Sequence, residues 1–210
     1  MLSKSQTLKL IWIAALLIVF AVFSSWYGGK GKPISAEEGA ALVAQLRASY
    51  DTPEETEHGL ADHLEEMIAK DDGNEFYAVN LEQIKDGEAA READRAYARV
   101  VMPLLFKRGS HPVFVSERVG LMLGKYGEDV DRVAVVRYRS LRDLLTMTVE
   151  PSMMENSHHK FAALDHTEVF ITRPFISFVH VKLMVALVLA LLGWLGLSII
   201  NFVRDRRRRA

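Results

Sequence analysis

The residues of this 210-residue chain whose types suit chemistry are its seven histidines, its methionines and a few polar groups set in apolar runs. His58 and His63 are five apart, which places them about 140° apart around a helix and denies them the i,i+4 geometry of a metal pair. His158 and His159 are adjacent and point about 100° apart, so at most one of them faces inward. An inward His159 in an apolar pocket would serve as the single axial ligand of a haem iron; helix capping or solvent exposure is the plainer alternative. Arg137 lies in the run RVAVVRY, and an arginine on an apolar strand face needs a partner, for which a bound carboxylate is one candidate. Met147, Met153 and Met154 read as core filler rather than as a metal relay. No GxGxxG, GxxxxGK, HExxH or GxSxG motif occurs. There is no cysteine, which excludes disulfides, thiolate zinc sites and cysteine nucleophiles, and no metal site is expected. Lys+Arg 26 against Asp+Glu 27 leaves a net charge of −1, so bulk charge gives no reason to expect a nucleic-acid partner.

The elements that would position these groups lie between two apolar ends. Residues 10–23 are all apolar, and Ser24, Ser25, Trp26 and Tyr27 extend the stretch to a first membrane span, 10–27, preceded by Lys4 and Lys9. A cleaved signal peptide competes with this anchor, although an A-x-A-like site is missing. Residues 183–203 form a second span whose one strongly polar member is Asn201, followed at once by Arg204, Asp205 and the four arginines Arg206, Arg207, Arg208 and Arg209. Five arginines beside a span predict a cytoplasmic tail, 204–210, and with two spans a cytoplasmic N-terminus, 1–9. The middle of the chain is then expected on the non-cytoplasmic, periplasmic or extracellular face of the plasma (inner) membrane. The arginine tail also suits anionic lipid. Ala186, Ala190, Gly193 and Gly196 are small enough to let two copies of the second span approach closely.

Residues 28–73 read as an acidic helical segment. From 33 to 75 there are twelve acids against two bases, a local charge of −10. Ser35 with Glu38 makes a capping box that opens a helix to about Ser49. Thr52, Pro53 and Glu55 open a second, to about Lys70, with Leu60, Leu64, Met67 and Ile68 as an apolar stripe that must lie against something. The acids are a solvated helix face in the simplest account, and a partner-docking surface in the alternative.

From 74 to 175 the order of elements is informative. Strands are predicted at 75–84, 112–117, 132–138 and 167–173, with a helix at 88–108, a glycine-rich connection containing Gly120, Gly124 and Gly127, a helix capped by Ser140 to Val149, and a further helix at 153–164. That order, β-α-β-β-α-β, is an α+β, ferredoxin-like arrangement in which helices cover one face of an antiparallel sheet. Yet the strands are apolar on both faces: Val133 and Val135 oppose Ala134 and Val136. The second face therefore needs a cover, either a second copy, giving a homodimer, or the helical pair 35–70. Residues 174–182 tie the last strand to the second span within about 30 Å when fully extended, and Phe175, Ile176, Phe178 and Val179 suit the membrane interface.

The run Tyr138-Arg139-Ser140-Leu141-Arg142-Asp143-Leu144-Leu145, then Pro151, then His158-His159-Lys160-Phe161-Ala162-Ala163-Leu164, resembles the small dimeric α/β-barrel proteins grouped as the DUF1330-like family. The preceding Pro103-Leu104-Leu105-Phe106 and His111-Pro112-Val113-Phe114 fit it too, so the resemblance covers about 74–173. It implies a ferredoxin-like fold and dimerisation through the sheets, and it transfers no catalytic residue. The two spans and the acidic helices are departures from the family's usual soluble form. The wider superfamily includes haem-binding and haem-degrading proteins and cofactor-free monooxygenases, all with a pocket between sheet and helices. Here Asn80, Arg137, Tyr138 and His159 are the polar groups expected to face such a pocket, with Asn80 and Arg137 at the wet sheet rim in the plainer account.

Two function classes follow. One is a membrane-anchored module that dimerises and binds a membrane or periplasmic protein partner, or a small ligand. The other is a small membrane-associated oxidoreductase, monooxygenase-like or haem-binding enzyme acting on an apolar substrate. The residues name no cofactor.

Overall fold

The computed structural model describes residues 3–29, 31–49, 59–176 and 180–209. The expected Thr52–Pro53–Glu55 cap, His58, Phe178 and Val179 fall outside them. The chain divides into two compact units, residues 1–26 with 176–210, and residues 27–175.

The first unit contains most of α1 (Lys4–Gly28) and α8 (Val181–Arg209). Both are long and apolar enough to cross a membrane, with mean hydropathy 2.3 and 2.6 over their spans. The small residues of α8 do not wait for a second copy. Gly196 lies against the Trp12 indole, and a Cβ on Gly193 would sit 3.3 Å from Leu16. The notch is therefore filled by α1 of the same chain, because close approach of two helices needs a residue without a side chain at the contact.

In the second unit come α2 (Ala36–Ser49), α3 (Leu60–Ala69), β1 (Phe76–Ile84), α4 (Glu88–Lys107), β2 (His111–Glu117), β3 (Arg132–Tyr138), α5 (Leu141–Thr148), α6 (Pro151–Asn156), α7 (His158–Ala163) and β4 (Leu164–Thr172). The caps read from sequence are in place: Glu38 N–H donates to Ser35 Oγ at 3.1 Å, and Asp143 N–H to Ser140 Oγ at 3.2 Å. α4 runs unbroken through Pro103 and closes at Gly109, whose φ is +67°. The expected single helix over 153–164 is two short ones instead. The Ser157 hydroxyl donates to the Met154 carbonyl at 3.0 Å, a local bond that competes with helix continuation.

The four strands form one antiparallel sheet in the order β2-β3-β1-β4, the ferredoxin-like topology. Alternation sends Phe76, Ala78, Asn80 and Glu82 of β1, with Val136 and Tyr138 of β3, toward the helices. Leu104, Leu105, Met147 and Met153 pack there against Val136 and Tyr138. The acidic pair α2–α3 does not cover the other face. Its stripe, Val43, Leu46 and Leu64, joins Leu141, Leu145 and Val149 on the helix side, because α5 offers a free apolar flank. The second face keeps Tyr77, Val79, Leu81, Val133 and Val135, with Phe114 and Phe170 exposed beside them. No described element of this unit lies over the Phe114–Phe170 row.

Candidate functional site

β4 is an edge strand, and the helix layer stops short of it: Val169 and Ile171 point to the helix side yet stay 47% and 44% exposed. α3 stands beside them, held by Leu64 in the α5 core. The result is a groove of about 490 Å³ with an apolar floor of Met67, Phe76, Leu141, Val169 and Ile171. Its rim carries His63, Glu66, Lys70, Asp71 and Arg173. Two of these are tied down: Arg173 pairs with Asp72 at 2.8 Å, and Asp71 accepts from the Ile34 and Gly73 amides. Asn74 hydrogen bonds, with Arg173 adding charge, hold the Asp72 carboxyl below the usual carboxylate range. An apolar floor with a polar rim suits a small molecule with an apolar body and a polar head.

Farther along the same face lies a strip of charge, part of it buried. Glu82 is buried and accepts from Arg132 Nε at 2.6 Å, while the Arg132 fork holds both oxygens of Asp94 at 2.9 and 2.8 Å. The Arg132 hydrogen bonds hold the Asp94 carboxyl below its ordinary range. Lys160 of α7 sits near Glu82 and Arg132, and desolvation pushes its ammonium down from the ordinary lysine value, with Glu82 opposing the shift. The Thr167 hydroxyl, opposite Glu82 in the β1–β4 register, is buried without a hydrogen-bond partner. Chemically the strip presents an amine displaced toward neutrality beside a carboxylate. Mechanically it fastens α4 to the sheet. Sequence reasoning missed it, although a glutamate at an inward-facing parity of β1 was its signal.

The sequence-predicted residues do not converge. Asn80 faces the helix side beside Val169, but its amide is spent on the Ala134 and Ala78 carbonyls at 3.0 and 3.4 Å. Tyr138 shares that face and stacks on Phe76 with ring centroids 5.4 Å apart, and burial pushes its phenol far up. Arg137 points to the opposite face. It is 1% exposed and bound within its own chain, donating to the Gly109 carbonyl at 2.7 Å, the Tyr27 carbonyl at 3.0 Å and the Glu75 carboxylate. Its guanidinium also lies 3.8 Å over the Tyr27 ring, and the Tyr27 hydroxyl meets His111 Nε2 at 3.1 Å. The carboxylate that Arg137 needs is therefore Glu75, not a ligand. His159 is half-buried, its ring 4.1 Å from that of His158, and it does not line the groove. The expected axial ligand thus fails to face the open volume, and the residues do not fit a haem there. Among the described residues no three His, Asp or Glu side chains are grouped to hold a metal. Arg204 pairs with Asp205 at 3.1 Å, and the Arg206 guanidinium lies 4.9 Å over the Phe202 ring.

No protein-family model and no curated protein matches the chain. Among solved structures, a Rhodopseudomonas palustris protein of unknown function is similar at 22% identity and TM-score 0.52, over 58% of this chain and 100% of that one. A NIPSNAP domain protein from Burkholderia xenovorans is similar at 10% identity and TM-score 0.38, over 50% and 98%. A cofactor-independent oxygenase from Streptomyces nogalater is similar at 13% identity and TM-score 0.36, over 51% and 99%. The first likeness shows a shared fold, and the other two carry no argument about activity.

Proposed function

We propose that this chain is a membrane-anchored module of the DUF1330-like kind. It presents its ferredoxin-like unit on the non-cytoplasmic face, pairs with a second copy through the open sheet face, and holds a small ligand or a protein partner in the α3–β4 groove. The observation that supports pairing is the row Phe114–Val135–Val79–Phe170, which runs across all four strands on the uncovered face. Burying such a row removes apolar area from water at roughly 25 cal/mol per Å².

The manner of pairing follows from where the chain leaves the unit. Tyr27 meets Arg137, and Thr172 lies opposite Tyr77, so both exits are at one end of the strands. In the pairing proposed here the two copies keep those ends on the same side, with the twofold axis along the strands. That axis lays β2 over the partner's β4, and Phe114 over the partner's Phe170.

The test is the mass of the full chain in nanodiscs, by light scattering corrected for lipid. Twice 23.7 kDa of protein is expected, and one copy with Phe114→Glu. A wild-type monomer would overturn the pairing.

The second reading, an enzyme acting on an apolar substrate, is favoured by one observation. Val169 on the groove floor is two residues from Thr167, beside the Glu82–Lys160 strip. An absorbance and native mass spectrum of the detergent-purified chain separates the two: a stoichiometric chromophore supports the enzyme.

A further inference from the structure

We infer that residues 118–131, between β2 and β3, form an arm that crosses to a second copy and rests on the start of that copy's β4; this builds on the pairing proposed above. Val119, Met122, Leu123 and Tyr126 are 102%, 101%, 92% and 99% exposed, so four large apolar side chains touch almost nothing in their own chain. The segment is nonetheless held in shape. At its base the Arg118 amide donates to the Asp131 carbonyl at 2.7 Å and the Asp131 amide to the Glu82 carbonyl at 2.9 Å. The Ile84 amide donates to Asp131 Oδ2 at 2.8 Å. At its tip the Glu128 amide donates to the Lys125 carbonyl at 3.0 Å, and Leu121 folds back over Gly127. An arm pinned to the central strand and displaying apolar groups is built to meet a surface.

The register places that surface. The arm leaves the sheet at the Glu82–Arg132 end, whereas both chain exits lie at the Tyr77–Arg137 end. The six residue steps from Tyr77 to Gln83 put these ends about 20 Å apart, so the arm leaves the sheet at the end opposite both chain exits. With the twofold axis along the strands, β2 of one copy overlies β4 of the other, about 10 Å away. The arm then continues from β2 toward the partner's α7–β4 junction. There Phe161 is 56% exposed, and Asp165 and Glu168 are exposed acids. Of the arm's charges, Lys125 sits among the exposed apolar side chains, Arg118 lies at the base, and Glu128, Asp129 and Asp131 lie on the returning limb. Apolar side chains thus meet an exposed phenylalanine, with Lys125 carried toward the partner's carboxylates.

The chain has no cysteine, so engineered pairs report without background. Full-length copies with different tags are co-expressed and oxidised in membranes. One set, Phe114→Cys with Phe170→Cys on the other copy, reads the sheet pairing. The other, Met122→Cys with Phe161→Cys, reads the arm. Both sets are expected to give mixed-tag dimers that reductant abolishes. A crosslink in the first set without one in the second overturns the arm and leaves the pairing standing. Crosslinks in neither overturn both. Labelling of position 122 by a lipid-dissolved thiol reagent also overturns the arm, since it would then lie in the bilayer. Met122 is fully exposed, so its replacement leaves the fold undisturbed.

Discussion

Arg137 shows how a site residue changes meaning once its neighbours are known. An arginine in an apolar strand demands a counter-charge, and that much is legible in RVAVVRY. The partners are not, because Glu75 and Tyr27 lie 62 and 110 positions away in sequence. Removing the guanidinium strands the Gly109 and Tyr27 carbonyls and leaves Glu75, 43% exposed, to water. Arg137→Met should therefore cost about 2–3 kcal/mol, read as a lower thermal midpoint by circular dichroism of the detergent-solubilised chain. Arg137→Lys should recover only part of it, since one ammonium cannot replace a fork that bonds three groups. Lys160 behaves in the opposite sense. Its ammonium is destabilised in the folded state, so the burial penalty is present in full below the folded value and fades as pH rises toward the ordinary lysine range. Lys160→Met should raise the midpoint at pH 7 by about 2–4 °C, because Glu82 keeps its bond to Arg132 at 2.6 Å. The gain should shrink at pH 10; a loss at pH 7 would assign Lys160 a stabilising role instead.

At the scale of elements, local signals were legible and docking was not. Ser35 and Ser140 announced their helices because capping is a contact between residues three apart. The strands emerged within a residue or three because alternation is local. What no local pattern encodes is that the α2–α3 stripe chooses α5 over the sheet, since both surfaces are apolar and the choice is one of shape. That docking turns on the junction between the acidic pair and β1. Gly73 has φ +73°, and a Cβ there would lie 2.6 Å from the Pro33 nitrogen, inside the chain that leads into α2. Gly31 has φ +59° with open space around it. Gly31→Ala should lose about 1–2 kcal/mol from its φ alone. Gly73→Ala should lose more, because the clash adds to the strain, and should loosen α2 from α5. Urea unfolding gives the first difference, and hydrogen exchange at Val43 and Leu46 the second. Equal midpoints for the two variants would remove Gly73 as the pivot.

For the whole molecule, apolar residues on both sides of the strands implied a cover from sequence alone, and the open Phe114–Phe170 row keeps that requirement in force. The groove was not legible, because it exists only where α3 and the edge strand fail to close on each other. The arm was seen as three glycines in a connection; that its apolar side chains stay outside is a property of the folded sheet. The orientation proposed above rests on the cluster of arginines after residue 203, since moving five cations through hydrocarbon would cost far more than leaving them behind. A phosphatase that is active only outside the cytoplasm should be silent when fused after residue 210 and active when inserted after Gly124, an exposed position in the arm. Replacing Arg204 and Arg206 to Arg209 by glutamine should raise the C-terminal signal and lower the other in the same cells, because one change in charge bias turns both reporters. Activity at the C-terminus of the unaltered chain would place the arm and the open face in the cytoplasm and would remove the non-cytoplasmic reading.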